Sequence, residues 1–402
     1  MEVIMKTSVI GFPRIGTLRE LKFASEKYFR KEIEVKELLH TAELLRKEHW
    51  AKQKNTGINY ISSNDFSFYD MVLDTAVLLG IIPNRYKELH LSELDTYFAM
   101  ARGYQGDFGD VKALAMKKWF NTNYHYIVPE IDDNVSIKLS GNKIWNEYAE
   151  AKEQGIETKP VVIGAYTMLK LCRYTGKQSA ENYVEAMIKA YRELIEKCEE
   201  NQISWIQFDE PSLVQDMNKK DIELFHKIYD NLLTSIKTSK VLLQTYFGDI
   251  RDVYLDLIKM PFAGIGLDFI EGKETYNLIK KYGFPKDKLL FAGLINGKNI
   301  WKNHYEETLK ILSSLKDKEI QTVLSTSCSL LHVPYTLNHE EKLSQDYLSY
   351  FSFAEEKLVE LKELSILAND NDYHKNDLYQ RNTALFARDR KCDNDEVKNR
   401  LA

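Results

Sequence analysis

The sequence predicts an α/β fold, a (βα)8 TIM-like barrel carrying an N-terminal helical insertion. Three observations point there. Short apolar, β-branched runs alternate with longer helical patterns through most of the chain. Several of these runs are almost continuously hydrophobic, as parallel strands are when helices cover one face and a packed interior fills the other. A length of 402 residues, 44% hydrophobic and 29% charged, suits one large barrel with insertions.

In chain order the candidate strands are TSVIGF (7–12), INYISS (58–63), NTNYHYIV (121–128), KPVVIGAY (159–166), ISWIQFD (203–209), KVLLQTYF (240–247), GIGLDFI (264–270), LLFAGLI (289–295) and QTVLSTS (321–327). Helical patterns lie between them, such as SAENYVEAMIKAYRELIEKCEE (179–200), whose apolar residues recur three and four apart. Eight βα units close a barrel and these candidates leave one over, so INYISS is assigned to an insertion. Right-handed crossovers between successive parallel strands favour the closed barrel.

The first 120 residues alternate less cleanly. Segment 19–55 runs from RELKFASEKYFRK into EVKELLHTAELLRKEHWAKQK and reads as a helical pair crossing or flanking the barrel. The barrel domain is placed at 1–365. Residues 366–402, ending NDNDYHKNDLYQRNTALFARDRKCDNDEVKNRLA, are polar and read as an inter-domain linker cut short of its next domain.

Bulk properties exclude several classes of function. A net charge of −5 argues against a nucleic-acid partner held by a global positive field. No stretch approaches the roughly 20 apolar residues that span a bilayer, so no membrane association is expected. MEVIMKTSVIGFPRIG reads as a first strand, not a signal peptide. Cys172, Cys198, Cys328 and Cys392 are far apart with no CxxC pair, which suits a reducing cytoplasm. No GxGxxG, Walker, HExxH or GxSxG motif is present.

Barrels carry their working groups at the C-terminal ends of strands. After the first strand, GFPRIGTLRELK (11–22) supplies Arg14, Arg19 and Lys22 from a glycine- and proline-shaped loop. Lys118 precedes WFNTNYHY (119–126), a run of aromatic and amide side chains. Stacking rings, amides and cations together suit a planar, amide-rich ring with an acidic tail, although structural ion pairs are the commoner use of such charges. Asp209 and Glu210 end a strand in WIQFDEPSLV (205–214); they are an acid–base pair or a helix cap with a cation partner. Cys328 and His332 lie in STSCSLLH (325–332), where a metal would need further ligands such as His125 and Asp268 brought in by the fold.

Read in order, GFPRIGTLRELKFASEKYF (11–29), DFSFYDMVLDTAVLLGIIP (65–83), KWFNTNYHYIVPE (118–130), WIQFDEPSLV (205–214), AGLINGKNIW (292–301) and SCSLLHVPYTL (327–337) resemble signatures of the N-terminal domain of cobalamin-independent methionine synthases. The resemblance spans nearly the whole chain. It implies two face-to-face barrels descended from one ancestor. The C-terminal barrel, absent here, would hold zinc, homocysteine and most of the pterin surface. The N-terminal barrel would support it and bind the tail of 5-methyltetrahydrofolate polyglutamate through Arg19, Glu20, Leu21, Lys22 and Lys118. No catalytic residue, metal ligand or cofactor is expected in this chain. Asp268 and Cys328 would be relic positions of a zinc site, because QTYF (244–247) stands where the catalytic barrel has a His-x-Cys pair. On this reading the whole enzyme is a cytoplasmic methyltransferase of methionine biosynthesis, and this half alone is inactive. A self-sufficient barrel methyltransferase or decarboxylase, and a non-catalytic docking module, are the competing readings.

Overall fold

A computed structural model describes residues 5–388 and 395–401. Eight parallel strands form one sheet: β1 (Lys6–Ser8), β2 (Ile61–Ser63), β3 (Thr158–Ile163), β4 (Trp205–Asp209), β5 (Lys240–Gln244), β6 (Gly264–Asp268), β7 (Leu289–Ile295) and β8 (Thr322–Thr326). Neighbours in sequence are neighbours in the sheet, and β1 returns to β8 in the register Thr7↔Leu324. The ring is completed between β1 and β2 by the Ser8↔Tyr60 bridge and the Tyr60 N–H donating to Thr7 O at 3.0 Å. This is the expected barrel, nearly closed.

One strand assignment is corrected. INYISS, set aside as an insertion, supplies β2, paired Ser62↔Lys159 with β3. NTNYHYIV lies outside the barrel, where His125–Ile127 pairs antiparallel with Met116–Lys118 in a hairpin. The reason is burial: all three residues of β2 are buried, whereas His125 and all of Met116–Lys118 are exposed. A barrel strand is covered on both faces.

The helical segment 19–55 resolves into α1 (Glu20–Phe29) and α2 (Val35–Thr56). A reciprocal capping box between Glu34 and Glu37 starts α2. Its inward residues Leu38, Ala42, Leu45, His49, Trp50 and Gln53 recur at helical spacing, which makes α2 the crossover from β1 to β2. Trp50 is buried and its indole N–H donates to Ser62 O at 3.1 Å, so it ties crossover to strand. A second, smaller core joins Ala24 of α1 and Leu38 of α2 to Phe98, Met100 and Ile127, and thereby seats the hairpin beside α1.

The linker expected at 366–402 does not begin at 366. Helix Ala354–Ala368 continues past that point, and helix Asp377–Phe386 packs against the barrel. Asn382 accepts the Tyr305 N–H at 3.0 Å and donates to Asn303 O at 3.0 Å. Its buried residues Tyr379, Asn382 and Leu385 form a stripe too sparse and too polar to read as a core face. Cys392 lies outside the described residues. Among those described, no helix is long and apolar enough to cross a membrane.

Candidate functional site

The loop after β1 is built around a strained turn. Arg19 has φ 65 and ψ 34, a left-handed backbone unusual for a residue with a side chain. Its N–H donates to Gly16 O at 3.3 Å, the Leu21 N–H donates to Ile15 O at 3.2 Å, and the Glu20 carboxylate accepts the Leu18 N–H at 3.0 Å. Gly16, at φ 83, is needed because a Cβ there would lie 2.1 Å from Glu20 Oε2. Leu21 is 2% exposed and packs with Ala42, Leu45 and Phe66, so its side chain anchors the turn and is closed to a ligand. Arg19 and Lys22 stay outside, 5.9 and 5.7 Å from the Phe23 ring. Lys22 meets Glu26 at 3.6 Å, an exposed pair of little energetic weight that an anion can displace.

Lys118 stands exposed in the hairpin, opposite His125. The turn beyond it folds over the barrel mouth: Phe120 lies 5.8 Å from Phe247, and Asn121 donates to Glu271 at 2.6 Å. Glu271 also binds Lys298 at 2.7 Å. Arg14 ties the loop to the hairpin by donating from Nη1 to Tyr124 Oη at 2.8 Å, and that hydroxyl donates in turn to Tyr69 O at 3.0 Å. The hairpin is fastened from below by Asp70, which accepts the Ile127 N–H at 3.0 Å while capping helix Met71–Leu78 through the Val72 and Leu73 N–H groups. Burial pushes the Asp70 carboxyl up to about 7 against the pull of those hydrogen bonds.

Under the hairpin only a small pocket remains, lined by Asp70, Trp119, Tyr126, Asp209, Tyr246 and His332 among others. Asp209 accepts from Gln207 Nε2 at 2.7 Å and from the Tyr246 hydroxyl at 3.0 Å. Burial raises its carboxyl, with those bonds and the Lys159 charge opposing. Lys159, 1% exposed inside the barrel, donates to Val9 O at 2.8 Å and to Gln207. Glu210 accepts the Tyr166 and Thr167 N–H groups at 3.0 and 2.7 Å and the Tyr229 hydroxyl, so it caps the helix after β3. Both acids are thus engaged by donors within the fold.

Asp268 and Cys328, the positions expected to be relics of a zinc site, do not form a ligand set. Asp268 accepts three backbone N–H groups, from Phe247, Ile270 and Glu271, at 2.8–2.9 Å. Cys328 points at Ser329 O from 3.7 Å, and burial pushes its thiol up, away from the thiolate that zinc requires. Burial and the Lys298 charge hold His332 neutral, near 4. His125 is exposed on the hairpin, apart from them. Among the described residues no group of three or more His, Cys, Asp or Glu is placed to hold a metal ion. Zinc does not fit these residues.

Sequence reasoning named Arg14, Arg19, Lys22 and Lys118 but missed the parts that position them. Asp70 carried a readable signal, an aspartate directly before the apolar run MVLDTAVLL, which marks a helix cap. The bond between Arg14 and Tyr124 joins residues 110 apart in sequence and carried none.

Residues 6–320 match the family model for the N-terminal domain of cobalamin-independent synthase. The chain is 52% identical over 397 residues to a 5-methyltetrahydropteroyltriglutamate–homocysteine methyltransferase of Campylobacter jejuni subsp. doylei, covering 99% of this chain and 52% of that protein. It is 52% identical over 398 residues to the Lactococcus lactis subsp. cremoris protein of the same name, with the same coverage. The chain thus spans about half the length of the curated relatives it matches. Among solved structures, a B12-independent methionine synthase from Shewanella sp. W3-18-1, in complex with selenomethionine, superposes with a TM-score of 0.59 at 15% identity, covering 91% of this chain and 98% of that one.

Proposed function

The chain belongs to the cobalamin-independent methionine synthase family, matching its N-terminal domain, and from that premise we propose that it is the folate-tail-binding and supporting half of a methyltransferase. The complete enzyme would move the methyl group of 5-methyltetrahydrofolate polyglutamate to homocysteine in the cytoplasm. Zinc, held in the half that the longer relatives possess and this chain does not include, would supply a nucleophilic homocysteine thiolate at neutral pH.

The observation that carries this reading is the pair of cationic segments, Arg19–Lys22 and Lys118, on a loop and a hairpin that the Arg14–Tyr124 hydrogen bond joins. Each γ-linked glutamate adds a carboxylate, and exposed cations on two fixed segments suit a flexible polyanion. Glu20 serves by holding the turn; its charge would repel such a tail. The barrel mouth is roofed by the hairpin, and its acids are spent on backbone and side-chain donors. That arrangement agrees with a supporting and tail-binding role for this half.

The test is titration of the chain with 5-methyltetrahydropteroyltriglutamate. Lys22→Ala and Lys118→Ala should each weaken binding about five- to tenfold, the loss of one charge-assisted contact. Unchanged affinity in both variants would sink the assignment.

A further inference from the structure

We infer that a shallow surface cleft lined by Arg85, Lys112, Glu130 and Arg173 binds a small oxyanion of the phosphate class. Neither Arg14, Arg19, Lys22 nor Lys118 lines it, so it shares no residue with the tail segments. The first observation is the way two guanidiniums divide one carboxylate. Arg85 Nη2 donates to Glu130 Oε2 at 2.6 Å, while Arg173 Nη1 stands 3.9 Å from Glu130 Oε1, too far for a hydrogen bond. Glu130 is the enclosed member, its side chain 12% exposed, whereas those of Arg85 and Arg173 are 41% and 64% exposed. Beyond Glu130, Arg85 reaches only the Tyr86 hydroxyl, at 3.4 Å and from the same Nη2. Arg173 makes no side-chain hydrogen bond among the described residues, and the exposed Lys112 makes no ion pair among them. Asp110, the other acid of the cleft, lies 3.4 Å from Gln105 Nε2 in its own hairpin. Three cations thus share the cleft with two carboxylates, a local positive excess on a chain whose net charge is −5.

The second observation is that the segments carrying these cations are fixed before any ligand arrives. Tyr86 is buried; its hydroxyl donates to Lys112 O at 2.7 Å, and the Arg85 guanidinium lies 4.7 Å from its ring centroid. It therefore ties helix Asn84–Lys87 to the end of the hairpin made by Tyr104–Gly106 and Gly109–Val111. Arg173 is placed by its N–H, which donates to Pro129 O at 2.8 Å, and by the register Glu130↔Arg173. Groups already in place lose little on binding. Charge then selects the ligand. A monoanion only matches the charge of Glu130, whose repulsion it must meet. A phosphate-type anion, largely doubly charged at neutral pH, outweighs it, and its tetrahedral oxygens can accept from two guanidinium forks at once.

The experiment titrates the 402-residue chain with pyrophosphate, inorganic phosphate and succinate by calorimetry at constant ionic strength. Every sample carries Lys22→Ala and Lys118→Ala, so that those cations cannot contribute. Saturable binding of phosphate and pyrophosphate, both tighter than succinate, is expected. Arg173→Gln should weaken pyrophosphate binding about tenfold, the loss of one charge-assisted contact. Glu130→Gln keeps an acceptor for Arg85 while removing the opposing charge, and should tighten binding about fivefold. A purely structural Glu130 would lower the unfolding midpoint in that variant and leave pyrophosphate affinity where it was, which would overturn the inference. So would the absence of saturable binding, unchanged affinity in Arg173→Gln, or succinate binding as tightly as phosphate. Should Glu130→Gln fail to fold, Arg173→Gln decides, since its side chain is exposed: weakened binding supports the cleft and unchanged binding overturns it.

Discussion

The Glu20 carboxylate accepts the Leu18 N–H at 3.0 Å and so closes the turn in which Arg19 sits at φ 65. The same turn carries Arg19 and Lys22 outward while Leu21 is driven into the core. Backbone held in this region costs on the order of 1 kcal/mol and persists only where its surroundings enforce it.

Glu20→Gln keeps an oxygen for Leu18 and removes a charge that repels an anionic tail, so it should bind triglutamate as tightly as the parent or slightly tighter. Glu20→Ala removes the same charge together with the acceptor, and should bind several-fold more weakly, with a stability loss of about 1 kcal/mol in urea. Charge alone predicts that both variants tighten. Equal tightening in the two would show that the clamp is unimportant.

Lys159 is the cross-brace of the barrel interior, reaching Val9 of the first strand segment and Gln207 of β4. Lys159→Met roughly preserves volume but strips two buried acceptors of their donor, and should cost about 2–4 kcal/mol. Denaturant unfolding measures this; a loss below 1 kcal/mol would mean that the interior repacks around the change.

His49 gives stability a pH dependence of known sign. Burial, helped by the charges of Lys52 and Arg46, lowers it from the usual 6.5 to about 3, and its Nε2 has no partner among the described residues. The unfolded chain therefore binds this proton below about pH 6.5 while the folded chain does not. The contribution of neutral His49 is complete above that pH and is lost progressively as pH falls toward 3. Between pH 7 and pH 5 the loss should be about 2 kcal/mol, and His49→Phe should remove that part of the slope. Parallel pH profiles for parent and variant would contradict the assignment.

Zinc should not be retained stoichiometrically by this chain, because Asp268 is spent on three N–H groups and Cys328 is a buried neutral thiol. Cys328→Ser should leave metal content unchanged after dialysis against zinc. Tight zinc in the parent, lost in that variant, would restore the relic as a working site.

The fold was legible where the physics is local. Continuous apolar runs identified seven of the barrel strands, and segment 19–55 was legible as a helical pair, now α1 and α2. The choice between INYISS and NTNYHYIV was not local. Both read as short β-rich runs, and only the surroundings decide that Ser62 faces Lys159 while His125 faces solvent beside Lys118. The tail helix 377–386 escaped notice for a related reason: its buried stripe is short and has at its centre Asn382, a polar residue satisfied by Asn303 and Tyr305. In the candidate site the charges were visible and their geometry was not. Nothing in RELK says that Leu21 is an anchor or that Glu20 is a clamp, since both follow from the left-handed backbone at Arg19.

The central claim, that this chain is a supporting half whose chemistry resides in the other half of its longer relatives, is tested most directly by one assay. Methyl transfer from 5-methyltetrahydropteroyltriglutamate to homocysteine is measured with the 402-residue chain alone and after mixing with the separately produced C-terminal half of the Campylobacter jejuni relative. No turnover alone, with turnover appearing on mixing and falling when Lys22→Ala or Lys118→Ala replaces the parent, is the result the account predicts. Turnover by this chain alone would contradict it, and would move the search for the reacting groups to Asp209, Tyr246 and His332 beneath the hairpin.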